Sequence, residues 1–316
     1  METIKNISII FTSIFFESLP FLLLGALISS VIETYVSNET MAKIIPKNKI
    51  LGSFVGIFLG LFLPACDCAV IPVSKRLLKK KVPINVAVSF MLASPIINPV
   101  VLLSTYYAFY KTNPEIFWYR LIFGIVIALI IGVIMGIAFK DKRVIKNEIL
   151  EEDDDDCCCE CHHDHEHEYD HHHHKHTLKG DFLSICKHTA NDFFEVVKYL
   201  MFGALLASLV QVMLPRNVLL VFDNNQVLSI LVLMIFAYLI SLCSTSDSFI
   251  GKSLLSSFSK GSIMAYLLLG PMIDVKNTFV LLGNFKKSFT VTLISLIFVV
   301  TFICSLLVVM LLWRSF

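Results

Sequence analysis

Long apolar runs separated by short polar segments extend over almost the whole chain, apart from one strongly polar stretch near its middle. Eight runs are long enough to form membrane helices, at 7–31, 50–74, 82–110, 117–139, 188–214, 226–251, 261–283 and 288–313. A helix needs about 20 apolar residues to cross the ~30 Å hydrocarbon core of a bilayer. The pattern therefore predicts an all-α integral membrane protein with eight transmembrane helices.

The two halves of the chain share a sequence pattern. The motif Phe-Phe-Glu followed by Gly-Ala-Leu occurs at 15–27 and again at 193–205. Nearly the same offset pairs Cys66 with Cys243, Pro95 with Pro271 and Asn98 with Asp274. Such self-similarity indicates an internal duplication, with one four-helix repeat in each half. Because each repeat has an even number of spans, we expect two parallel repeats related by an axis along the membrane normal.

Composition and charge agree with a membrane protein. The mean hydropathy is +0.76 and charged residues make up 16% of the chain, against about 25% in soluble domains. The sequence has no basic aromatic patch and no zinc-finger spacing, which argues against nucleic-acid binding. One predicted loop carries the basic cluster Lys75, Arg76, Lys79, Lys80 and Lys81. Since cytoplasmic loops are enriched in basic residues, we expect both termini and the central loop to be cytoplasmic.

Prolines and polar residues interrupt four of the apolar runs. The second run contains Cys66-Asp67-Cys68 between Pro64 and Pro72, and the third contains Pro95 and Asn98. Matching interruptions occur at 243–248 and 270–277. We expect these helices to be discontinuous near the midplane of the membrane. Discontinuous helices at corresponding positions of two repeats indicate a substrate site at that depth. The predicted substrate path comprises the polar residues of these segments and one acid of the first run: Glu17, Cys66, Asp67, Cys68, Asn98, Cys243, Ser244, Thr245, Asp247, Asp274 and Lys276.

Each of these features has a structural alternative. Two thiols and a carboxylate at a helix break suit a soft or borderline metal ion, but the cysteines could also fill space at a kink. Asp274 and Lys276 could form a structural ion pair. Glu17 could carry a proton or bond a backbone group between helices.

The central linker, 140–187, separates a first repeat at 1–139 from a second at 188–316. Its segment 151–176 holds eleven acids, four cysteines and nine histidines without apolar periodicity. Thiolates and imidazoles suit Zn(II) and Cu(I), with Ni(II) or Co(II) possible through the histidines. The predicted ligands are Cys157, Cys158, Cys159, Cys161, His162, His163, His165, His167, His171, His172, His173, His174 and His176. A solvated acidic linker would explain the acids but not the thiols and imidazoles.

The segments 63–72 and 93–99 together resemble the bacterial predicted-permease family that includes the ArsP organoarsenical exporters. Within that family, the segments 243–250 and 270–277 are similar to a copper/zinc efflux subgroup, which also has a His/Cys-rich loop between its halves. The resemblance implies a multi-pass permease of eight spans in the bacterial inner membrane. It also implies a transport path that contains Cys66, Cys68, Cys243, Asp247 and Asp274.

The residues and the resemblance together predict export of a thiophilic transition metal, Zn(II) or Cu(I), from the cytoplasm. The alternatives are efflux of trivalent arsenicals or organoarsenicals, and a membrane-anchored metal-sensing or assembly subunit. We expect no enzymatic activity, because no nucleophile, base and orienting group fall together, and no obligatory cofactor. The sequence lacks a nucleotide-binding motif of the P-loop type, so energy would come from an ion gradient or a partner ATPase. Besides lipid and metal ions, we expect a homo-oligomer or a partner subunit.

Overall fold

The computed structural model describes residues 2–35, 46, 48–62, 66–140, 144–145, 178–213, 226–255 and 257–313. Within these ranges every regular element is an α-helix, with one isolated antiparallel bridge between Ile145 and Phe285. The helices are α1 (Glu2–Tyr35), α2 (Lys49–Phe62), α3 (Asp67–Lys79), α4 (Ile84–Ile97), α5 (Pro99–Phe109), α6 (Glu115–Ala138), α7 (Leu178–Met213), α8 (Gln226–Ile240), α9 (Ser246–Leu254), α10 (Lys260–Met272), α11 (Val275–Asn284) and α12 (Lys287–Trp313). The segment 151–176 and Pro64 lie outside the described residues.

In the part of the chain that the structure describes, six stretches of helix are long and apolar enough to cross a membrane: Thr3–Tyr35, Ile84–Phe109, Glu115–Ala138, Ile185–Met213, Lys260–Asn284 and Lys287–Met310. They confirm an all-helical protein with several spans. The predicted runs 50–74 and 226–251 are each divided instead, into α2 with α3 and α8 with α9. In both cases the apolar helix ends before the Cys-containing segment, and a short helix begins within that segment or after it. The count of eight spans therefore stays a prediction.

The breaks inside two of the long spans follow from local chemistry. Pro99 has no N–H to continue α4, and the Asn98 side chain accepts a hydrogen bond from Val100 N at 3.0 Å to begin α5. Asp274 is extended and begins α11 by accepting from Asn277 N at 2.7 Å. Both spans thus consist of two half-helices that meet at a capping side chain.

The central helices α4 and α10 are buried along almost their whole length and pack against each other. Helices α2, α3 and α6 surround α4, while α8, α9 and α12 surround α10. Helices α1 and α7 pack together, with α1 on α3 and α7 on α11. The two long helices therefore cover the side of the core on which α3 and α11 begin.

The Gly-Ala-Leu motif positions these two covering helices. A Cβ added to Gly25 would lie 2.7 Å from the Ala69 Cβ on α3. A Cβ added to Gly203 would lie 2.7 Å from the Lys276 Cα on α11. Only glycine allows backbones to approach this closely, so the motif brings α1 and α7 against the two half-helices that carry the polar residues.

Candidate functional site

The Cys66-Asp67-Cys68 segment lies at the beginning of α3. Cys66 is extended, and its carbonyl accepts the first helical hydrogen bonds from Ala69 and Val70 at 3.1 and 3.2 Å. Possible ligand atoms of Cys66, Asp67 and Cys68 all lie within 4.8 Å of one another. These three side chains can hold a soft or borderline metal ion.

One cavity brings together residues that are distant in sequence. It is lined by Cys66, Asp67 and Cys68 from the start of α3, by Glu17 from α1, by Cys243 from the α8–α9 connection and by Lys276 from α11. Cys66 and Cys243 are partly exposed, whereas Cys68 is buried. Six of the predicted path residues therefore share one cavity, and three of them carry thiols.

A buried ion group forms one wall of this cavity. Lys276 Nζ lies 3.1 Å from Asp67 Oδ2 and 2.7 Å from Asp274 Oδ2, and it donates to the Ser241 carbonyl at 3.2 Å. Asn277 Nδ2 donates to Asp67 Oδ2 at 2.8 Å. The ion pair considered for Asp274 and Lys276 is present, and it extends to Asp67. Two carboxylates thus share one ammonium group, which leaves a formal charge of −1.

Asp67 also lines a second cavity, on the side of the central helices. This cavity is bounded by Asp67, Ile71, Met91, Leu92, Pro95, Pro271, Met272, Asn277, Leu281 and Leu293. Among the described residues, the charged or amide-bearing side chains of its lining are Asp67 and Asn277, and the sulfur atoms belong to Met91 and Met272. The carboxylate of Asp67 therefore stands between a thiol-lined cavity and a thioether-lined cavity.

Some predicted path residues lie elsewhere. Asn98 caps α5, as described above. The Thr245 carbonyl accepts from Ser104 at 2.7 Å, and Asp247 Oδ1 accepts from the Tyr266 hydroxyl at 3.0 Å. The backbone of this segment and the Asp247 side chain thus contact helices α5 and α10, whereas the Thr245 hydroxyl lies 3.3 Å from Cys243 Sγ, beside the thiol-lined cavity.

Arg120 organises this second polar cluster and was not predicted. Its Nη1 donates to Thr105 Oγ1 at 2.7 Å and to Ser248 Oγ at 2.8 Å, and its Nη2 to the Ser244 carbonyl at 3.5 Å. The side chain is fully buried. Arg120 is the only charged residue in the apolar run 117–139, and that isolation is a signal that marks functional or structural importance in a membrane helix.

The basic cluster used to predict the orientation is partly buried in the structure. Lys75 and Arg76 lie within α3, because that helix continues to Lys79, rather than in a loop. Lys75 Nζ contacts Glu195 at 2.5 Å, and Arg76 Nη2 contacts Asp192 at 2.8 Å. These two ion pairs connect α3 to α7. The cytoplasmic orientation stays a prediction.

Comparisons with known proteins place the chain in a family. A predicted-permease family model, ArsP_1, matches residues 3–310. The UPF0718 protein YcgR of Bacillus subtilis strain 168 is 42% identical over 299 residues, which cover 95% of each chain. A Streptococcus mutans protein, named as a subunit of a two-component membrane permease complex, is 35% identical over 280 residues, 89% of this chain and 87% of its own. No solved structure shows a significant match. The chain therefore belongs to the ArsP_1 family of predicted permeases.

Proposed function

We propose that this permease exports a thiophilic transition metal ion, of the Zn(II) or Cu(I) type, from the cytoplasm. The observation that carries the proposal is the convergence of Cys66, Asp67 and Cys68, whose ligand atoms lie within 4.8 Å of one another, in a cavity also lined by Cys243 and Glu17. Thiolates and carboxylates are ligands for zinc, and thiolates are ligands for Cu(I). We name this group of Cys66, Asp67 and Cys68 the thiol centre.

The ion group supplies a way to accept and release a cation. In the structure Lys276 holds Asp67, so a metal ion that binds Asp67 must compete with the ammonium group. Asp274, at 2.7 Å from the same nitrogen, is the carboxylate to which Lys276 can withdraw. The exchange of one cation for another avoids leaving a bare carboxylate inside the membrane, which would be costly.

The same proposal includes the arrangement of the whole chain. We infer eight spans in two parallel repeats, with both termini and the linker 140–187 cytoplasmic. The paired breaks after α2 and α8, and within the spans at Asn98 and Asp274, support the duplication. In this arrangement the cysteines and histidines of 151–176 collect metal and deliver it to the thiol centre.

The experiment is a comparison of cytoplasmic metal content in cells with and without the protein, for zinc, copper, nickel, cobalt and trivalent arsenicals. The proposal predicts lower zinc or copper in cells that have the protein. Replacing Cys66 or Cys68 by serine should abolish this difference with normal protein in the membrane, since a hydroxyl is a poor ligand for soft metals. Equal metal content with and without the protein would contradict the proposal.

Efflux of trivalent arsenicals is the second candidate. Trivalent arsenic also binds thiols, and the observation that favours it is the presence of three cysteines, Cys66, Cys68 and Cys243, at one cavity. It leaves the ligands of 151–176 without a role. Resistance to arsenicals, with no change in any metal, would select this candidate over metal export.

The name of the Streptococcus mutans relative supports a further candidate, in which this chain works as one subunit of a membrane complex. A metal-sensing or assembly subunit would need the segment 151–176 but not the thiol centre. Loss of function on deletion of 151–176, together with full function of the cysteine variants, would select it.

A further inference from the structure

The cavity on the far side of Asp67 contains two methionines in a lining that is apolar apart from Asp67 and Asn277. Met91 is 8% exposed and Met272 is 6% exposed, so both are buried in the protein. They come from different central helices, α4 and α10, which pack against each other. Met91 lies one turn before Pro95, and Met272 is the last residue of α10 before the break at Asp274. Each methionine therefore lies beside a helix interruption of its own repeat.

The carboxylate of this cavity is already engaged, and its other oxygen ligand, Asn277 Oδ1, is a neutral amide oxygen without a hydrogen-bond partner among the described residues. Asp67 Oδ2 accepts from Asn277 and contacts Lys276 at 3.1 Å. The remaining lining consists of aliphatic residues, two prolines and the two thioethers. A thioether is a neutral, soft ligand that selects Cu(I), whereas Zn(II) is bound by thiolate, imidazole and carboxylate. Of these two ions, only Cu(I) finds suitable ligands on both sides of Asp67.

We propose that Met91 and Met272 form a second binding station for the exported ion, and that this ion is a soft monovalent cation, Cu(I) or its analogue Ag(I). The inference rests on the proposed function and narrows its substrate class. The ion enters at the thiols of Cys66 and Cys68, passes Asp67 as Lys276 withdraws, and is held by the two thioethers. Neutral thioethers bind the ion more weakly than thiolates do. Weak binding at a second site lets the ion leave the protein, because release requires that no single site holds it tightly.

The test uses leucine in place of methionine, since this exchange conserves volume and costs little in packing while it removes the sulfur. Inside-out membrane vesicles containing the full chain are supplied with Ag(I), Cu(I) under reducing conditions, or Zn(II), and metal uptake is measured. The variants are Met91→Leu, Met272→Leu and the double variant. The matched control is Met135→Leu, a fully buried methionine of α6 that does not line the cavity.

The native protein should take up Ag(I) and Cu(I) faster than Zn(II). In the double variant, the uptake rate of the monovalent ions should fall by about 10-fold or more, which is the lower end of the loss seen when residues that support a metal site are replaced. The control should keep the native rate. Protection of Cys66 from a thiol reagent by Ag(I) should persist in the double variant, because its thiol centre is intact.

Three results would overturn the inference. They are unchanged Ag(I) uptake in the double variant, an equal loss in Met135→Leu, and faster uptake of Zn(II) than of either monovalent ion by the native protein. If Cys66→Ser abolishes uptake while the methionine variants do not, the thiol centre stands and only the second station fails. If the native vesicles take up no metal, both proposals fail.

Discussion

Lys276 determines the charge balance of the thiol centre at the scale of single residues. Its nitrogen contacts carboxylates from α3 and from the α10–α11 break, 3.1 and 2.7 Å away. All three groups are buried. A buried charge that loses its partner is strongly destabilising, whereas a complete ion group is close to neutral in stability. The lysine therefore connects α3 to the α10–α11 break, in addition to the role in cation exchange that we propose for it.

Replacing Lys276 by methionine should destabilise the protein by about 3–5 kcal/mol, because two buried carboxylates lose their cation. Thermal unfolding of the purified protein in detergent measures the effect. The double change Lys276→Met with Asp274→Asn should recover part of the loss, since one carboxylate is then removed. Lys252→Met on the exposed side of α9 is the control. Equal unfolding temperatures for Lys276→Met and Lys252→Met would contradict the stabilising role.

At the scale of helices, the thiol centre depends on how α1 and α7 cover α3. Close backbone packing and ion pairs attach these helices to α3. Gly25 of α1 packs against Ala69, and Arg76 pairs with Asp192 of α7 at 2.8 Å and with Glu33 of α1 at 3.3 Å. Ser29 Oγ also donates to Asp192 at 2.8 Å. One carboxylate thus joins three helices, so its loss should loosen the cover of the cavity.

Replacing Asp192 by asparagine should therefore expose Cys66 and Cys68 to thiol reagents. We expect Cys68, which is 2% exposed, to react at least several times faster in Asp192→Asn than in the native protein. The rate of labelling, followed by mass spectrometry of the purified protein, gives the result. Asp192→Glu, which keeps the charge, should show a smaller increase. Unchanged labelling of Cys68 in Asp192→Asn would show that the contacts of Asp192 with Arg76 and Ser29 do not keep the cavity covered.

The helices themselves were predictable from the sequence, but most contacts between them were not. The apolar runs predicted eight membrane helices, and the described residues contain six helical stretches of membrane length. Prolines and polar residues predicted the interruptions near Asn98 and Asp274. The contact of Asn277 with Asp67 joins residues 210 positions apart, and Arg76 and Asp192 are 116 apart. Local patterns carry no information on such pairings. The apolar pattern predicts a loop at Lys75 and Arg76, because charges inside a span are unfavourable. The structure places both in a helix, where Glu195 and Asp192 pair with them.

At the scale of the whole molecule, the account predicts a definite arrangement across the membrane. A reporter inserted within 151–176 should report a cytoplasmic location, and so should a reporter after 313. In the proposed arrangement the two ends of each four-span repeat are on one side of the membrane, and the distribution of basic residues predicts that this side is cytoplasmic. Alkaline phosphatase and green fluorescent protein fusions make the measurement. An external location for either reporter would contradict the orientation and the metal-collecting role of 151–176.

Deletion of 151–176 should weaken metal export at low cytoplasmic metal and leave it nearly unchanged at high metal. Local capture raises the effective concentration of the ion near the transport path, and that gain matters only when the free ion is scarce. Growth across a series of metal concentrations measures the difference. A matched control replaces 151–176 by a glycine-serine linker of equal length. If both variants match the native protein at low metal, the segment does not collect metal for transport.

The most direct measurement of the central claim is metal uptake into inside-out vesicles by the Cys66→Ser/Cys68→Ser double variant. The native protein should accumulate a thiophilic metal ion, and the double variant should not, with equal amounts of both in the membrane. Cys304→Ser is the control, because Cys304 is a buried cysteine on α12 that does not line the cavity, and it should behave as the native protein does. If the double variant accumulates the metal ion at the same rate as the native protein, transport through the thiol centre is contradicted.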